Sequence, residues 1–255
     1  MKRLAAFILV LLMMLANSLA TAAGIESGYL EAEGFAPPQE GSNMGVLRRI
    51  AIVNAYRNLA LLADEVFVSS GVTVTQLKES DETIKIKLDA IINGVKVVAV
   101  TGNANEGVTA TVRLPVYGGK KSLASVVLPE NVQVQDFPPL TSKRIITRKY
   151  TGLIVDCRGQ DLSTAIIPAI KSVDGTEFYS YKNIGYDVAV SNGPVAYSTG
   201  MDSGVERAGN FPLVVKAVGV SGKCDVVVSK MSMWRILLAN RSTHFLNDCA
   251  VVFVR

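Results

Sequence analysis

Apolar residues recur with a helical period over residues 43–66, the longest such stretch in the chain. At 100° per residue, Ala51, Ile52, Ala55, Tyr56, Leu59, Leu62 and Ala63 share one broad face. Asn54 and Arg57 lie opposite, with Arg49 and Asn58 near the edges, and Ser42 or Asn43 is placed to cap the first turn. A face this wide has to be buried, and the chain that follows offers strands to bury it. Val66, Val68, Val72 and Val74 alternate around Gly71, which predicts a strand with a break or bulge. Residues 80–93 fit two patterns. Ile84, Ile86 and Leu88 alternate like a strand, whereas Leu88, Ile91 and Ile92 suit a short helix capped by Asp81 and ending at Gly94, the preferred reading. Residues 95–101 and 108–116 read as two strands joined by a Gly- and Asn-rich hairpin loop.

Beyond residue 117 the period is lost until about 148. That stretch holds Gly118, Gly119, Pro129, Pro138 and Pro139 and reads as a linker or packed irregular connector. Residues 150–156 then form a short apolar run ending at Asp156, and 168–179 read as a hairpin turning at Asp174-Gly175. A short helix is expected over 183–192 with its stop at Gly193. Strands are expected over 213–220 and 225–228, a helix capped by Ser229 over 230–240, and a buried strand over 250–254. The last strand–helix–strand unit predicts a parallel pair joined by a right-handed crossover. Upstream of the long helix, residues 24–41 read as an exposed arm stopped by Pro37-Pro38, with Tyr29 and Phe35 available to tack it down. The expected class is therefore α+β: a helix on a three-stranded antiparallel sheet, then a second α/β domain with a mixed sheet. The parsing is 1–23 leader, 24–41 arm, 42–117 helix-plus-sheet domain, 118–147 connector and 148–255 mixed domain.

The leader assignment rests on Lys2 and Arg3, the apolar run 4–15 and the small residues Ala20-Thr21-Ala22. The run is shorter than the roughly 20 residues that span a bilayer, so a cleaved signal peptide is expected and, with it, an exported protein of the periplasm or envelope. The first cysteine is Cys157, far from the cut, so no lipid anchor is expected, nor any later membrane-spanning segment. Removing Lys2 and Arg3 leaves 24 basic against 22 acidic residues, a net charge of +2. That is too weak and too scattered to point to nucleic acid or an anionic membrane. Cys224 and Cys249 each open a valine-rich run, so they could bridge across neighbouring strands; small buried hydrophobes are the simpler reading.

Candidate chemistry is sparse. The single histidine, His244, lies after the last helix with no ligand partner at useful spacing and reads as a surface or capping residue. Residues 217–224 resemble a phosphate loop only superficially, since Ala217 replaces the first glycine and Cys224 the hydroxyl, and they read as a turn. Trp234 sits at helical spacing with Leu237 and Leu238 and reads as core or an interface anchor. Asp156-Cys157-Arg158, at the end of an apolar strand, is the strongest candidate. Asp156 could work with Glu177 as a carboxylate pair on a glycan, or Tyr150, Asp156 and Arg158 could contact a ligand. Most simply, Asp156 and Arg158 form a local ion pair. Cys157 lacks an evident base. No cofactor or metal site is expected.

The pattern Arg-x-Ala-Ile-x-x-Ala-Tyr-Arg over 49–57, Val72-Thr73-Val74, the strand after Gly94 and the closing Val112-Arg113-Leu114-Pro115-Val116 resemble one known domain. It is the N-terminal domain of flagellar assembly protein T, shared with the twenty-kilodalton outer-membrane lipoprotein (LPP-twenty) family. Residues 150–156, 168–179 and 210–216 are similar to the C-terminal half of longer, uncharacterised members of that group. Asn54 stands where that pattern has an acidic residue, and the lipid-attachment cysteine is absent. The resemblance implies an exported, non-enzymatic envelope protein whose partners are envelope or flagellar basal-body proteins.

Overall fold

A computed structural model describes residues 24–39, 41, 43–140, 148–202 and 204–255; the leader expected over 1–23 lies outside them. The architecture is α+β, with two sheets that share one core. In the first unit the long helix α1 (Met44–Asp64) starts at Asn43, whose side chain accepts from the Val46 amide at 3.0 Å. Its buried stripe, Leu47, Ala51, Ala55, Leu59 and Ala63, repeats every four residues and faces the three-stranded antiparallel sheet β1-β5-β4. The strands are β1 (Tyr29–Ala36), β4 (Lys96–Asn103) and β5 (Gly107–Pro115), with β5 central.

Two expectations are corrected here. The stretch read as an exposed arm contributes β1, which pairs with β5 along its whole length from Tyr29↔Pro115 to Ala36↔Val108. The alternation that builds it, Leu30, Ala32, Gly34 and Ala36, uses small residues between Glu31 and Glu33, so its apolar signal is faint. Those residues are small because α1 comes close. A side chain at Gly34 would overlap the Ala55 amide and the Ala51 carbonyl. The strand expected around Gly71 is instead a separate two-stranded ribbon, β2 (Phe67–Ser69) and β3 (Val72–Thr73). Val74 opens the helix α2 (Val74–Ser80), because Thr73 and Gln76 form a reciprocal capping box. The ambiguous 80–93 stretch resolves as a helix, α3 (Glu82–Asn93), capped by Asp81 through the Thr83 amide.

The second unit is a seven-stranded mixed sheet in the order β8-β7-β11-β10-β6-β12-β9. Its strands are β6 (Leu153–Asp156), β7 (Ile170–Ser172), β8 (Glu177–Tyr179), β9 (Ala196–Ser198), β10 (Leu213–Ser221), β11 (Asp225–Val228) and β12 (Val251–Val254). Central β6 and β12 are apolar on both faces, as buried parallel strands are. The helices α5 (Tyr186–Asn192) and α6 (Lys230–Thr243) complete the unit, the latter capped by Ser229. The expected parallel β11/β12 pair does not form. β11 runs antiparallel to β10, whereas β10 and β12 both run parallel to β6, so β11 and β12 are opposed, with two strands between them. The tight β10–β11 hairpin reverses the chain, and α6 then carries it sideways past β10 and β6 instead of back along the sheet.

Between the sheets, part of the expected connector is structured. The short helix α4 (Leu123–Val127) buries Leu123, Ala124, Val126 and Val127 in the same core cluster that holds Leu59 and Val226. The units are also joined by main chain: Ile166 and Ile167 donate to the Phe67 and Val68 carbonyls, and Gly118 to Val190. Tyr117, the last residue of the first unit, is driven into the second. Its hydroxyl donates to the Ile166 carbonyl at 2.6 Å, and burial keeps the phenol protonated. Its ring lies where a Cβ at Gly193 would sit, a position whose φ of 70° already favours glycine.

Candidate functional site

The polar residues singled out from the sequence are engaged with one another or kept apart. Arg158 grips Asp156 through two side-chain bonds of 2.8 Å, and its backbone amide adds a third at 3.2 Å. Those hydrogen bonds hold the Asp156 carboxyl down at about 2, so at neutral pH it is a fixed counter-ion. Glu177 does not join it. Glu177 opens β8, four strand positions from β6, and pairs with Lys182 at 3.6 Å. At about 4.8 Å per step, Glu177 and Asp156 lie on the order of 20 Å apart across the sheet, with Glu177 level with Gly219 of β10 and Asp156 level with Lys216. That is too far for either glycosidase geometry. Tyr150 is likewise separate, ahead of the start of β6 while Asp156 ends that strand and Arg158 follows it, and its ring carries the Arg148 guanidinium 5.6 Å away.

Cys157 is buried beside the Asp156 charge, which together push its thiol up to about 12 and leave it unreactive. Cys224 and Cys249 are buried and free, not bridged. His244 is exposed and closes α6 in the left-handed conformation at φ 55°. Trp234 is half-buried against the core; of the stretch 217–224 read as a turn, 217–221 are the paired end of β10 and only 222–224 turn into β11. Among the described residues, no three His, Cys, Asp or Glu side chains are grouped to hold a metal.

A hollow of about 300 Å³ beside Glu177 is polar, its charges tied as Lys171–Asp225 at 2.6 Å and Lys182–Glu177 at 3.6 Å, and the apolar concavity lies on the first unit. A groove of about 630 Å³ runs between the start of β4, the end of α3 and the outer ends of β1 and β5. Its floor is apolar: Ala90, Ile91, Val95 and Val98, with Pro115 and the Tyr29 ring. Its rim is basic: Lys96, Arg113 and Lys121, with no carboxylate among the lining residues. Arg113 is held in place by Glu31 at 2.6 Å and stacks 3.9 Å over the Tyr29 ring. Neither Lys96 nor Lys121 has an ion-pair partner among the described residues. A second hollow of about 720 Å³ continues past Ala90 and Ile91 to the junction of α3, α4 and α5, crossed by the Lys87–Glu130 pair at 3.3 Å.

Sequence reasoning missed this groove, although a signal was present. Val97-Val98-Ala99-Val100 is apolar at every position, and a strand with one buried face cannot bury all four. The structure resolves the conflict with a bulge between Val97 and Ala99, which drops Val98 out of the ladder and leaves it 47% exposed. The basic rim is drawn from three separate segments and has no sequence signature.

Comparison with known proteins bears on the other half of the chain. No curated protein matches the sequence. Residues 152–255 match the family defined by the second domain of Tp0624 from Treponema pallidum, a match that takes in the seven-stranded sheet from β6 to β12.

Proposed function

We propose that the protein is an exported, non-enzymatic assembly factor of the cell envelope, which acts by holding partner proteins on shaped surfaces. The observation that carries this reading is a separation. The charged side chains of the second unit are tied into pairs such as Asp156–Arg158, Lys171–Asp225 and Lys182–Glu177, while the groove beside β4 has an apolar floor and no carboxylate in its lining. Support also comes from the leader-like N-terminus and from the resemblance of the first unit to the flagellar assembly protein T domain. The shared core suits such a role, because one cluster of buried side chains spans both units. A flagellar setting is the specific version of the proposal.

The test is made in the organism's own envelope. The mature protein is expected to fractionate with the envelope and to co-purify with basal bodies, and its deletion should impair motility. Absence from basal bodies with unchanged motility removes the flagellar version. Turnover of a defined substrate that is lost on changing one polar side chain, with folding intact, removes the non-enzymatic reading altogether.

A further inference from the structure

We infer that β4 is a docking edge, where an extended peptide of a partner protein adds antiparallel as a fourth strand and places a carboxylate in the groove at the strand's start. The inference rests on the assembly reading above and gives it a site and a partner chemistry.

The edge comes first. β4 is eight residues long and bonds only to β5 on one side; among the described residues, no other group bonds to the main chain of 96–103. In an antiparallel ladder every second residue turns its N–H and C=O outward, so the free side of β4 carries a row of unmet donors and acceptors. Natural edges are blunted with charges, proline or bulges. β4 carries one charge, Lys96 at its first position, no proline, and one bulge near that same end, between Val97 and Ala99, which leaves the rest of the edge open. A peptide laid along it meets main-chain partners at once.

The groove sets direction and chemistry. It opens at the Lys96 end of the strand. A peptide running antiparallel to β4 reaches that end with its own C-terminal part. An apolar side chain there fits against Val98, Ile91 and Val95, and a carboxylate meets Lys96, Lys121 and Arg113. Because Glu31 already engages Arg113, the two lysines carry most of the unmatched charge. The partner segment is therefore an alternating apolar strand ending in an acidic side chain or in the chain's own C-terminal carboxylate. A parallel strand would bring its N-terminal part to the lysines instead.

The probe is a library of random peptides displayed with free C-termini and selected on the mature protein. Enriched peptides should alternate apolar residues and end in a carboxylate. They should slow amide exchange across 96–103 and bind at least about tenfold more weakly to Val98→Asp and to the Lys96→Glu/Lys121→Glu double variant. Both changes lie on exposed side chains, and the melting temperature serves as the folding control. Amidating the C-terminus distinguishes a terminal carboxylate from an acidic side chain. Peptides that protect other segments, or that bind both variants as tightly as the parent, overturn the docking edge. An envelope partner captured equally well by Val98→Asp does the same, while leaving the assembly reading intact; that reading fails when the parent protein captures no envelope partner.

Discussion

The two edges of the first sheet, β1 and β4, flank the same central strand and have about the same length, yet one is sealed and the other is bare. α1 packs directly over β1. Asn54 donates to the Phe35 carbonyl at 2.9 Å and Asn58 to the Glu33 carbonyl at 2.7 Å, so the outer side of β1 finds main-chain partners in helix side chains. Among the described residues, β4 has no such cover. The difference shows how a small sheet protects itself asymmetrically: the edge beneath the helix is closed by amides that can donate, and the far edge remains available to another chain. It also accounts for Asn54. An ionised carboxylate at position 54 could not donate to the Phe35 carbonyl, whereas the Asn54 amide does.

The largest way to break the contrast is to force the sealed edge open. Gly34→Ala places a methyl group on the α1 backbone, which side-chain rearrangement cannot relieve. Separating strand and helix also strips the Ala51 and Ala55 contacts. Chemical denaturation should show a loss of about 3 kcal/mol or more, at the upper end for overpacking. A loss below about 1 kcal/mol would mean that β1 and α1 are not in close contact.

The next step removes the amides. Asn58→Ala should lower stability by about 1 kcal/mol, the usual net worth of one hydrogen bond. Asn54→Asp should cost somewhat more at neutral pH, because the new carboxylate faces the Phe35 carbonyl instead of donating to it. That contact disfavours the charged form and raises the folded-state pKa above the ordinary value. The folded protein then binds the proton more tightly than the unfolded chain. Relative to Asn54→Ala, the aspartate variant should therefore be more stable below about pH 4 and lose that advantage as pH rises through its raised pKa. Denaturation midpoints of both variants across pH 3–7 check the sign; parallel curves would refute the contact.

Sequence patterns carried much of the fold where one period dominated. α1, α3, the β4–β5 hairpin and the β10–β11 turn were legible because apolar spacing and capping residues agreed. β1 was not, since its inward positions are Leu30, Ala32, Gly34 and Ala36, chosen for close approach and not for hydrophobicity. The opposed directions of β11 and β12 were invisible for another reason: local pattern does not say how many strands a crossover passes. At the site, the Asp156–Arg158 pair was readable because its members are two residues apart. The groove was not, because Tyr29, Lys96, Arg113 and Lys121 meet only after the sheet has formed.

The smallest expected change in stability belongs to the bare edge. Val98 lies outside the ladder and nearly half its surface faces solvent, so Val98→Thr removes little buried area and should shift stability by no more than about 0.5 kcal/mol. The informative readout is local. Amide exchange should be slow at those β1 amides that bond into β5, and fast at the alternate β4 amides that point away from it. Because Val98→Thr leaves the main chain unchanged, it should preserve that fast set while weakening the apolar contact a docked strand would make. Uniformly slow exchange along β4 in the free protein would mean that another part of the chain already covers this edge, and the asymmetry between the two strands would vanish.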